Sequence, residues 1–137
     1  MPLPTVVGMD ERIVMVDSAT GLRLTEGELD EWSAAATVQL RRRGVRLGDS
    51  VLICLPVGPH LLVATDAVIA VGAVAWPLPA ELDACDLRRR ILASHARVMI
   101  SDLPQALDAA DGSRVRTVVS VADLRVLAPS RRDADRR

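Results

Sequence analysis

Lysine is absent: all 17 basic residues of this 137-residue chain are arginine, and Phe and Tyr are missing as well, leaving Trp32 and Trp76 as the aromatic residues. Without lysine there is no side chain for a Schiff base, for the phosphate-gripping position of a Walker-type loop, or for a lysine clamp on a transition state. Two tryptophans give no platform for stacking successive bases, and a formal net charge of -1 supplies no long-range field, so nucleic-acid binding is disfavoured. Cysteine is scarce too. Cys54 lies in an apolar run and Cys85 in a helix-like one, with no paired spacing for zinc or a disulfide framework, which suits a reduced, cytoplasmic chain. Residues 1–9 have no basic stretch followed by an apolar one, and so do not read as a secretory signal. The longest apolar stretch, residues 61–76, is too short to cross a bilayer and carries Asp66, so a soluble protein without a membrane span is expected.

What is present is a folding composition: half the residues are hydrophobic and 26% are charged. The length suits one domain, whose core must be built from Val, Leu, Ile and Ala. Residues 12–17 and 22–25 alternate apolar and polar side chains around Ser18-Ala19-Thr20-Gly21, as a hairpin does, with Gly21 in the left-handed turn position. Thr25 stands three residues before Glu28, a capping box that starts a helix. Leu29, Trp32, Ser33, Ala36 and Leu40 then form one apolar stripe, opposite Glu31, Gln39 and Arg42. Arg41, Arg42 and Arg43 occupy the last turn, where cations complement the helix dipole, and Gly44 can stop the helix.

The run Val51-Leu52-Ile53-Cys54-Leu55, ended by Pro56, reads as a central parallel strand buried on both faces. Gly58-Pro59 opens a helix that is apolar almost all round from Leu61 to its end at Gly72, and so needs cover on more than one side. Val74-Ala75-Trp76 is a short strand closed by Pro77 and Pro79. A helix follows over residues 83–95, with Leu87 and Ile91 inward and residues 88–90 on its wet side. Strands over residues 97–101 and 117–121, a helix over 105–110 and a turn of helix over 123–127 complete the pattern. This β-α-β-α-β-α-β alternation makes the fold class α/β: an N-terminal hairpin, then a mainly parallel sheet with helical crossovers. We expect an extension over residues 1–11, the domain over 12–128, and a disordered polar tail over 129–137.

Three segments in this order resemble the opening of the AMP-forming acyl-CoA synthetases and adenylation domains. They are Val16-Asp17 through Leu24-Thr25 to Glu28-Leu29; Gly44-Val45-Arg46-Leu47-Gly48-Asp49-Ser50-Val51; and Leu55-Pro56 through Gly58-Pro59 to Gly72-Ala73-Val74-Ala75-Trp76-Pro77-Leu78. Gly27, Val57 and Pro79-Ala80 depart from the family's usual residues. The resemblance implies a partial N-terminal subdomain of an adenylate-forming ligase, with structural rather than ATP-handling roles for these positions. It also implies that the family's Ser/Thr/Gly-rich ATP loop ending in Pro-Lys-Gly, its metal-binding Thr-Glu, its ribose-binding Asp and its lid Lys are outside this chain. ATP, Mg and CoA are therefore implied only for a completed enzyme, and no catalytic, cofactor-binding or metal residue is carried over.

The remaining candidates have plainer readings. Gly112-Ser113-Arg114 is short for a phosphate loop and reads as a turn. His60 and His95 have no second ligand or nucleophile at a recognisable spacing, and Asp102 lacks an acidic partner and a following Lys, which makes it a loop or cap residue. No G-x-G-x-x-G follows a strand, so a dinucleotide-binding reading fails. The expectation is a truncated, non-catalytic homologue acting as an interaction or structural module or surviving as a remnant; the alternative is one half of a split ligase completed by a partner. Either reading calls for a homo-oligomer or a larger adenylating partner to cover the helix after Pro59 and an unfinished sheet edge.

Overall fold

The computed structural model describes residues 13–16 and 23–124. The 18–21 turn, the extension, the tail and any helix beyond Leu124 lie outside the described residues. Strands β1 (Ile13–Val16) and β2 (Arg23–Thr25) pair antiparallel, with a register shift between Ile13 and Met15. Leu24 is fully buried, and Met15 packs against the same core, so the hairpin is held by one apolar face.

Thr25 ends β2 and caps helix α1 (Glu26–Arg42). The box closes in both directions: Glu28 N donates to Thr25 Oγ1 at 3.1 Å, and Thr25 N donates to Glu28 Oε1 at 3.0 Å. At the far end Gly44 N donates to Arg41 O and Val45 N to Leu40 O, each at 3.0 Å, with Gly44 left-handed. That is a Schellman stop, and its apolar contact is supplied by buried Val45 and Leu40.

Strand β3 (Ser50–Ile53) follows, then helix α2 (Pro59–Val71), strand β4 (Val74–Pro77), helix α3 (Ala84–Ser94), strand β5 (Val98–Ile100), helix α4 (Pro104–Ala110), strand β6 (Thr117–Val119) and helix α5 (Val121–Leu124). The four strands β4-β3-β5-β6 form one sheet, every neighbouring pair parallel. Side chains alternate across β3. Val51 and Ile53 join α1 and α2 in one core, whereas Leu52 and Cys54 join α3 and α4 in the other. The run around Cys54 is therefore buried on both faces as its continuous apolarity predicts, because helices cover both sides.

Two expectations need correction. The helix after Pro59 is covered on more than one side as expected, but α1 and the sheet supply the cover expected of a partner: Val63, Ala64, Ala67, Val68 and Val71 are buried among them, and the exposed side is Asp66, Ile69 and Ala70. Open apolar surface lies instead on the edge strand β4, where Val74 is 49% and Trp76 43% exposed. The last strand stops at Val119, because Ser120 and Asp123 form a reciprocal cap that starts α5 at Val121, two residues before the expected turn of helix. Residues 88–90 are exposed as expected, and Arg88 Nη1 also donates to Ala109 O at 3.2 Å and Asp111 O at 2.6 Å, closing the carboxyl end of α4.

Candidate functional site

In open parallel sheets ligands bind beyond the carboxyl ends of the strands. Here that edge is formed by residues 54–58 after β3, Leu78 and Pro79 after β4, Ser101 and Asp102 after β5, and Ser120 after β6. Its polar side chains are occupied with the backbone. Ser101, almost wholly buried, donates from Oγ to Cys54 O at 2.7 Å and accepts from Leu103 N at 3.1 Å. The Asp102 carboxylate accepts from Val121 N at 3.2 and 3.3 Å, so it caps α5. Ser120 and Asp123 exchange backbone-to-side-chain hydrogen bonds at 3.1 and 3.0 Å. The edge is fastened from strand to strand by groups that would otherwise be free for a ligand.

The titratable groups follow the same pattern. The Ser120 backbone N–H holds the Asp123 carboxyl below its ordinary range, against a smaller opposing effect of burial; the Ser120 hydroxyl and Arg43 add to the lowering. Burial pushes the Cys54 thiol up, with the Glu81 charge adding to it, which makes Cys54 a core side chain rather than a nucleophile.

The two histidines are not brought together. His60 is half-buried in the first turn of α2, at the carboxyl edge, whereas exposed His95 is the left-handed stop of α3, next to the opposite edge. The Gly112-Ser113-Arg114 segment is a tight turn whose Ser113 hydroxyl donates to Ala110 O and accepts from Val115 N at 3.1 Å. Its polar atoms close the chain on itself and make no phosphate cradle. Among the described residues no group of three or more His, Cys, Asp or Glu side chains is placed to hold a metal ion.

The residues that resemble a family motif are architectural as well. Gly48 N donates to Gly72 O at 2.9 Å and Val74 N to Asp49 O at 2.7 Å, so the 47–49 turn is sewn to the end of α2. Gly72 stands at φ 89°, a left-handed conformation that favours glycine, and a Cβ there would clash only with the tip of the exposed Leu47 side chain.

The AMP-binding enzyme family model matches residues 6–136. This chain belongs to the AMP-binding enzyme family. It is 40% identical over 89 residues to pyochelin synthetase PchE of Pseudomonas aeruginosa, a stretch that is 62% of this chain and 6% of the synthetase. It is 33% identical over 81 residues to acetyl-coenzyme A synthetase 1 of Candida albicans, covering 59% of this chain and 12% of that enzyme. The inhibitor-bound N-terminal domain of FACL13 from Mycobacterium tuberculosis has the same fold, with a TM-score of 0.76 at 20% identity over 89% of this chain and 33% of that domain. Hairpin, parallel sheet and flanking helices are thus those of the family's N-terminal subdomain. The chain spans a small part of each relative. Among the described residues no helix is long and apolar enough to cross a membrane.

Proposed function

We propose that residues 12–128 form the structural N-terminal unit of an adenylate-forming enzyme and perform no chemistry on their own. The supporting observation is the carboxyl edge of the sheet, where Ser101, Asp102, Ser120 and Asp123 all serve to hold loops. A unit of this kind acts as a protein-interaction or structural module. The free thiols of buried Cys54 and exposed Cys85 suit a reducing, cytoplasmic setting. The test is acid-dependent exchange of labelled pyrophosphate into ATP by the purified chain. No exchange with a broad panel of acids is expected, and turnover by the chain alone would overturn the proposal.

A second reading is favoured by β4. Among the described residues it pairs only with β3, leaving one backbone edge and the side chains of Val74 and Trp76 open. An edge of this kind is ordinarily covered. In this reading a larger polypeptide carrying the ATP loop and lid docks there and completes an acid–CoA ligase, whereas in the first reading another copy of the chain covers it. A tagged pull-down from native cells with mass spectrometry separates them: a stoichiometric partner bearing the loop supports the split enzyme, and a homo-oligomer supports the stand-alone module.

A further inference from the structure

We propose that the amino edge of the sheet is a binding site for a compact polyanion carrying two or more phosphate groups. The topology builds the site. In a parallel sheet every strand enters from the same side, so the residues just before β3, β5 and β6 gather there: Asp49, Arg97 and Arg116. The turn after α1 adds Arg43 and Arg46. Together these residues line a groove of about 420 Å³, a size that admits a small ligand.

Backbone hydrogen bonds anchor the stems of these arginines. Arg116 N donates to Arg97 O at 2.8 Å and Thr117 N to the same oxygen at 3.1 Å, which fixes two arginines side by side. Arg46 N donates to Asp49 Oδ2 at 2.8 Å, and Asp49 N to Arg46 O at 3.1 Å, which fixes the third. Like charges gathered along one groove repel one another unless a counter-charge joins them. Arg43 has one, since its Nη2 is 3.0 Å from Asp123 Oδ1. Arg46, Arg97 and Arg116 are exposed and make no ion pair among the described residues. Among the described residues Asp49 is the one acidic group lining the groove, and one of its oxygens is engaged by the Arg46 backbone.

The chemistry of the lining selects the ligand. Guanidinium forks match phosphate oxygens two at a time, and three of them without partners suit a ligand with several such oxygens. Among the described residues no aromatic ring lines the groove, and Val98 is its one larger aliphatic side chain, so neither a base nor an acyl chain would be recognised. The groove lies on the opposite edge from the crevice where a parallel sheet ordinarily takes its ligand, and the proposal stands apart from any adenylating chemistry.

Calorimetric titration of the whole chain with inorganic tripolyphosphate at low salt tests it, with orthophosphate and matched sodium chloride as comparisons. Saturable one-to-one binding is expected, at least about tenfold tighter for tripolyphosphate than for orthophosphate, as engaging further charge-assisted contacts implies. R97Q/R116Q should weaken it by about tenfold or more. R90Q, on α3 outside the groove, should leave it unchanged. The substituted side chains are exposed and the strand pairing uses backbone atoms, so the fold should survive; R46Q, in a turn outside the sheet, repeats the test without touching the ladder. Absence of saturable binding, or equal weakening by R90Q and R97Q/R116Q, overturns the site. So would a nucleoside triphosphate that binds more tightly than tripolyphosphate, since a base would then be recognised.

Discussion

Arg43 Nη2 lies 3.0 Å from Asp123 Oδ1, joining the carboxyl end of α1 to the first turn of α5. Asp123 also accepts the Ser120 backbone N–H at 3.1 Å, the main reason its carboxyl is held below the ordinary range. A carboxyl lowered on folding contributes stability above its unfolded value and loses that contribution as pH falls through the folded one. D123N keeps an oxygen for Ser120 but removes the charge. The two side chains are 40% and 36% exposed, so screening should keep the loss at neutral pH below about 1 kcal/mol. Urea midpoints should show the gap between parent and variant closing as pH drops below about 4, the ordinary aspartate range. A gap that persists in acid would mean that the charge is not its source.

Gly44 and Gly72 both stand at φ 89° and both close Schellman stops, yet their surroundings differ. Nothing lies within 4 Å of a Cβ built on Gly44, whereas one on Gly72 meets Leu47 Cδ1. G44A should therefore report the left-handed backbone alone, a destabilisation of about 1–2 kcal/mol. Leu47 is 82% exposed and the atom in the way is the tip of its side chain, so it can swing aside. G72A should exceed G44A by less than about 1 kcal/mol, and adding L47A should remove that excess. Denaturant midpoints of the three variants decide it. A much larger cost for G72A would show that the 47–49 turn is rigid.

The parts of the fold legible in the sequence are those encoded within a few residues. Thr25 with Glu28, Gly44, the run around Cys54, and Pro59 with Gly72 each declare an element by local spacing, and each element is there. The boundary between β6 and α5 was legible too, in Ser120 and Asp123 three residues apart, but the β-branched residues before it favour extending the strand. Arg88 and Arg43 were not legible. Their partners lie far along the chain, and an arginine at a helix end looks the same whether it meets water or a distant carbonyl. The cover of α2 depends in the same way on where α1 docks, which helical periodicity alone does not state. At the carboxyl edge the sequence shows Ser and Asp after strands, and only the folded arrangement shows those groups already engaged.

The two thiols should separate cleanly in a labelling experiment. Cys85 is exposed, whereas Cys54 is fully buried and its thiol is pushed up by that burial, so its thiolate fraction at any given pH is smaller. A disulfide reagent at neutral pH should consume one thiol promptly and the second only in denaturant. C85S should abolish the fast phase and C54S should leave it. A fast reaction at Cys54 would mean that the sheet opens at its carboxyl edge under native conditions.

The β4 edge ties fold to function most directly. Val74 is half-exposed on a strand paired on one side, so V74K should change stability by no more than about 1 kcal/mol. Charge on an open edge nevertheless blocks strand pairing and opposes burial of the face. Light scattering at rising concentration should find the parent chain in complexes that V74K reduces to single chains, with thermal midpoints nearly equal. A parent that stays a single chain at every concentration would rule out self-association at this edge. Capture of a loop-bearing partner by the parent but not by V74K would then support docking there. If V74K bound copies and partners as well as the parent does, β4 would not be the docking edge in either reading.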